Sequence, residues 1–157
     1  MRSMIRKAAA LIGILAMTAP ILLSRGTPKI YAQKLVDEVV AKHPDLLVFA
    51  MHVTAPGVTD NTIIASNVPS IIGKKSDADD LKAIDSPQPV TEVSKDGTRF
   101  EVLLPLRDRT GKAIGALVTV FPYKAGDDQK KLIRRAAALR NQVQRQIPSL
   151  AGLFGQA

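Results

Sequence analysis

Along the chain the apolar positions change their period several times, and each change marks an element. In residues 33–43, Leu35, Val36, Val39 and Val40 fall on one side and Lys34, Asp37, Glu38 and Lys42 on the other, which predicts a short amphipathic helix. Pro44 ends it, since proline lacks the N–H and pushes its predecessor out of the helical region. Residues 46–54 (LLVFAMHVT) form a continuous apolar run rich in strand formers, the pattern of a central strand covered on both faces. Pro56 and Gly57 turn the chain, and residues 62–66 (TIIAS) predict a second, shorter strand.

Ser76 is the expected cap of a helix over residues 77–84. Its first turn holds Asp77, Asp79 and Asp80, where carboxylates meet the positive end of the dipole, and Leu81 and Ile84 share a face. Pro87 and Pro89 lead into a strand at 90–94, and Lys95-Asp96-Gly97-Thr98 is a hairpin turn whose Asp-Gly pair accepts positive φ. In residues 99–106, Phe100, Val102 and Leu104 alternate with Arg99, Glu101 and Leu103. A turn at 108–111 leads to residues 112–121, where Ile114, Ala116, Val118 and Val120 share a face. Three strands joined by two tight turns make an antiparallel meander. Beyond Asp127 and Asp128, Leu132, Ala136, Leu139, Val143 and Ile147 form the stripe of a long helix that Pro148 terminates. The expected fold class is α+β: a five-stranded, mostly antiparallel sheet with N-terminal, internal and long C-terminal helices, one domain over residues 33–147 with a tail at 148–157.

Charge changes the picture at one end. The chain of 157 residues holds 22 basic and 14 acidic side chains, a formal +8. Arg2, Arg6 and Lys7 precede an apolar run over residues 8–23, followed by small and polar residues up to Ile30-Tyr31-Ala32, the layout of a secretory signal peptide over residues 1–32. The apolar run is too short for a comfortable membrane span, and Pro20 interrupts it. The expectation is export to the periplasm or beyond with cleavage near Ala32; the alternative is an uncleaved signal anchor. Removing the five basic residues of 1–32 leaves 17 against 14, a net charge of +3. With aromatics at 4% and no basic run interleaved with them, a nucleic-acid partner is not expected.

Chemistry is sparse. Without cysteine there is no disulfide framework or thiolate metal site, and two histidines cannot build a His-only zinc centre. Asp77, Asp79 and Asp80 lack the glycine and terminal glutamate of a calcium loop. No nucleophile elbow, phosphate loop or metalloprotease motif occurs, so neither an enzyme, a cofactor nor a metal is expected.

Two stretches carry a family likeness. IIASNVPSIIGKKSDADDL, with Gly73 at the approach to the short helix, resembles the signature of the Cache (extracellular PAS-like) sensor domains, and FEVLLPLRDRTGKAIGALVTVF resembles their meander, with Pro105, Gly111 and Gly115 in place. With the flanking helices, the similarity covers most of residues 33–147. It implies a PAS/Cache-like sheet in an extracytoplasmic module that binds a small molecule, often a carboxylate, amino acid or amine. The sequence departs from that family's layout in showing neither a second apolar span nor an output domain. A free-standing sensor module is therefore expected, presenting its state to a membrane-bound receptor.

The resemblance draws attention to six residues as ligand contacts. Lys74 and Lys75 follow Gly73 where the family's pocket loop lies, and either receive an anionic ligand or sit in a solvated turn. Arg99 either holds a carboxylate in a two-bond fork, capped by Tyr123, or pairs with Glu92 or Glu101 across the hairpin. Lys124 closes the last strand beside Tyr123. His52 is either a ligand contact or a half-buried strand histidine bonded locally. The functional expectation is a small-molecule-binding sensor, with a carboxylate or amino acid as ligand. The competing expectation is an envelope protein that docks to a partner or a lipid surface through the basic C-terminal helix.

Overall fold

The computed structural model describes residues 29–157. The expected leader lies outside the described residues up to Pro28. From Ile30 the chain is already part of the fold. Helix α1 (Tyr31–Lys42) starts two residues before the apolar periodicity suggests and buries Ala32, Leu35, Val36 and Val39. No side chain caps it. The C-terminal end of the chain does so instead: the Tyr31 N–H donates to the Gly155 carbonyl at 2.7 Å, Ile30 bridges Gln156, and the Ala157 N–H reaches the Lys29 carbonyl at 2.9 Å. Residues 148–157 are packed rather than trailing, with a short 3-10 turn at Ala151–Phe154 that buries Leu153 completely. A cut beside Ala32 would remove these contacts; a leader whose loss leaves this fold intact ends before Lys29.

Five strands, β1 (Val48–Thr54), β2 (Asn61–Ser66), β3 (Val90–Val93), β4 (Arg99–Arg107) and β5 (Ala113–Pro122), form one sheet in the order β2-β1-β5-β4-β3, every neighbouring pair antiparallel. The α+β class, the meander and the covered first long strand are as the alternation predicts. Helix α2 (Ala78–Asp85) lies across one face of the sheet, against β4 and β5; α1 and α3 (Gln129–Gln144) cover the other. The cap of α2 differs from expectation. Asp77, not Ser76, accepts from the N–H groups of Asp79 and Asp80 at 2.9 and 3.0 Å, and the Asp80 carboxylate in turn accepts from the Asp77 N–H. The reciprocal box closes one residue later, between Asp77 and Asp80, which frees Ser76 for other work.

The α1/α3 face is dry. Phe49, Met51, Val102, Leu104, Leu117 and Phe121 meet Leu35, Val39, Leu139 and Val143 there, forming the larger apolar cluster. The stripe of α3 is spent on this contact, so its apolar side is not available to a lipid surface. Among the described residues no helix is long and apolar enough to cross a membrane. Gly115 is demanded by the close approach of β5 to β1: a Cβ there would lie 2.1 Å from the His52 carbonyl oxygen.

Candidate functional site

Strand parity builds the site. Val48, Ala50 and His52 of β1, Val118 and Val120 of β5, and Arg99, Glu101 and Leu103 of β4 all point to the α2 side. Helix α2 covers this face only in part, through Ala83 and Ile84, and the remainder is a trough. Two adjoining hollows of about 300 and 280 Å³ share Val48, Glu92, Glu101 and Val120 and run together from His52 to Arg99. That volume is at the small end of ligand pockets.

One end of the trough is closed by a polar chain. His52 Nδ1 lies 2.9 Å from Ser76 Oγ and 3.2 Å from Asp80 Oδ2, and the Ser76 hydroxyl donates to Asn61 Oδ1 at 2.6 Å. The His52 and Asp80 side chains are 6% and 12% exposed. Burial pushes the Asp80 carboxyl up, but the hydrogen bond from His52, its attraction and the Asp77 N–H outweigh that and hold it below the usual carboxylate range. The opposite holds at Glu101. Burial raises its carboxyl, and Asp80, Glu92 and Asp77 raise it further, with His52 acting against them.

The six sequence-singled residues separate. His52 lines the trough and Arg99 its outer end. Arg99 forms no ion pair with Glu92 or Glu101; it stays exposed at the rim. Lys74 and Lys75 are elsewhere. After Gly73, at φ +87°, the chain runs along the outer edge of β2, with the Ile63 N–H donating to the Lys74 carbonyl and Lys75 bridging Thr62. The Lys75 ammonium pairs with Asp60 at 2.9 Å in solvent. Tyr123 falls on the opposite face of the sheet by the same alternation that buries Phe121, stacking on Phe100 at 5.6 Å, and Lys124 is exposed beyond the strand end. These four therefore do not line the trough.

Sequence reasoning passed over Glu92, Glu101, Ser76 and the inward role of Asp80. Glu101 was on the correct face by alternation; the missing knowledge was what α2 would bring against it. Among the described residues no group of three side chains is placed to hold a metal ion.

No protein-family model matches this chain, and no curated protein matches it in sequence. Solved structures do resemble it in shape. A putative GAF sensor protein from Burkholderia vietnamiensis aligns with a TM-score of 0.50 at 16% identity over 74% of each chain. The GAF domain from Acinetobacter phosphoenolpyruvate-protein phosphotransferase aligns with a TM-score of 0.49 at 15% identity, over 78% of each chain. A type II free methionine-R-sulfoxide reductase from Thermoplasma acidophilum gives 0.49 at 14% identity, over 80% of this chain and 93% of that one. The likeness is one of fold: the chain has the GAF-type, PAS-like architecture. None of these three structures is a Cache domain, the family that the sequence motifs suggested, so what holds of that resemblance is the PAS-like fold. A shared fold does not by itself separate binding from catalysis.

Proposed function

We propose that this domain is a small-molecule sensor module whose ligand lies in the trough between the sheet and α2. The observation that carries the reading is the trough itself: an apolar floor on the central strands, a closed polar end at His52, and charged side chains converging on a hollow the fold leaves unfilled. The sensor protein of the same fold supports it by analogy. A ligand there would touch α2 and several strands at once. Occupancy would therefore change how firmly α2 is held, and a partner reading the α2 surface would sense it.

We place the module outside the cytoplasm, on the strength of the basic, apolar and small-residue order in residues 1–32. Intact mass of the protein recovered from the cell envelope tests this; the full-length mass in the cytosolic fraction would refute it. A membrane-bound receptor is the partner such a module would need. Docking to lipid through α3 is the weaker reading, because its apolar stripe is buried against β4 and β5.

A thermal-shift screen of the full chain against amines, amino acids, carboxylates and purines tests the binding reading. A ligand at 100 times its dissociation constant adds about 2.7 kcal/mol, several degrees for a domain of this size. Val48→Trp, which fills the shared middle of the trough, should abolish every genuine hit. A flat screen, or hits indifferent to that variant, would refute it.

A further inference from the structure

The lining of the trough states which charge its occupant carries. Glu92 and Glu101 stand directly opposite each other on the β3–β4 ladder, and both line the middle of the trough. Like charges at opposed positions of an antiparallel pair repel. Among the described residues neither carboxylate forms an ion pair. Asp77, Asp79 and Asp80 add three more carboxylates from α2 and its cap. Arg99, at the outer rim, is the only Lys or Arg that lines the trough among the described residues.

His52 stands at the inner end of the trough. The one proton of the Ser76 hydroxyl goes to Asn61 Oδ1, so Ser76 Oγ meets His52 Nδ1 as an acceptor, and Nδ1 carries the proton. The other ring nitrogen is Nε2. That nitrogen makes no hydrogen bond among the described residues, although the side chain is 6% exposed and lines the trough.

Apart from His52, the ionisable side chains of the inner trough are thus all carboxylates, above a floor of Ala50, Leu103 and Val118. We infer that the occupant is a small organic cation with N–H donors, a protonated amine or guanidinium on an apolar body, its charge seated between Glu92 and Glu101. A carboxylate would enter against five acidic side chains. A bare metal ion lacks three converging ligands among the described residues. Burial and the neighbouring carboxylates of Asp80, Glu92 and Asp77 raise the Glu101 carboxyl, which reflects the same crowding of negative charge. This inference rests on the trough being the ligand site.

Hexylamine, 1-hexanol and hexanoate share one skeleton and differ only in the head group, so calorimetric titration of each into the full chain near neutral pH isolates the charge. Hexylamine should bind, the alcohol should bind about tenfold more weakly or worse, and hexanoate should give no heat, since a hydrogen bond to a charged group is worth at least that factor. Glu101→Gln and Glu92→Gln should each weaken hexylamine by at least about tenfold on the same grounds. Each variant removes a repulsion, so its melting temperature should match or exceed that of the native chain, and lost binding cannot be put down to unfolding. Hexanoate binding as well as hexylamine, failure of hexylamine to bind, or hexylamine binding indifferent to both substitutions would overturn the inference. The sensor reading would outlive that result if the wider screen yields a ligand that Val48→Trp excludes, and would fall with it if none appears.

Discussion

The two faces of the sheet are made from the same strands and differ in almost everything else. Toward α1 and α3, strand residues such as Phe49, Val102, Leu117 and Phe121 are at most 1% exposed and interlock with two helices and the C-terminal 3-10 turn. Toward α2, small and branched residues alternate with His52, Glu92, Arg99 and Glu101, and one eight-residue helix covers them incompletely. The lesson is a division of labour. A single sheet can place its stability on one side and leave the other underfilled, with charges close together that a stable core would not tolerate.

The largest effect that would test this contrast is truncation on the dry face. Phe49→Ala should cost about 3–5 kcal/mol, as expected for a fully buried aromatic, whereas Leu103→Ala beside the existing trough should fall near 2 kcal/mol. Urea denaturation measures both, and equal losses would break the comparison. Next comes Gly115→Ala, at the seam between β1 and β5. The added methyl would run into the His52 carbonyl, so a cost of about 2–3 kcal/mol is expected in the same assay, together with disturbance of the His52 end of the trough. A loss below that of an ordinary surface substitution would mean that the two strands separate more easily than their register implies.

Smaller effects should have the opposite sign. Thr119 sits on the dry face between Phe49 and Val102, fully buried, with a hydroxyl that has no hydrogen-bond partner among the described residues. Thr119→Val should stabilise by about 1 kcal/mol, because it removes an unpaired polar atom at constant volume. Glu101→Gln should stabilise by roughly 0.5 kcal/mol near neutral pH, on the scale of a relieved cross-strand repulsion. The pH dependence identifies its cause. The Glu101 carboxyl is raised in the fold by burial and by Asp80, Glu92 and Asp77, so the native state favours its protonated form. Its ionised form therefore detracts from stability as pH rises through the raised folded value. Below the unfolded value of about 4.3 the penalty is gone. The gain from Glu101→Gln should thus vanish in acid and grow toward neutrality. A gain independent of pH would point to packing rather than charge.

Much of this was legible in the residues alone. The parity of residues 99–106 put Glu101 and Leu103 on one face and Phe100 and Val102 on the other; the Asp-Gly turn and the prolines fixed where strands and helices stop. These are local matters, governed by a period of two or 3.6 and by backbone chemistry within a few residues. The ligand contacts read at Lys74, Lys75, Tyr123 and Lys124 failed to converge for a reason equally physical. A loop's position depends on which strand edge it pairs with, and Gly73 sends this one along β2 rather than over the face.

What the sequence determined by itself, then, is the list of elements, their order and the inward side of each strand. Only the tertiary structure decided that Glu92 meets Glu101 in register, that Asp80 reaches back 28 positions to His52, and that Ser76, ahead of the helix it was expected to cap, joins them. It likewise tied the last residues of the chain to the first turn of α1. Such contacts unite residues far apart along the chain. Their geometry is set by how helices and strands pack as whole bodies, and no local period encodes it.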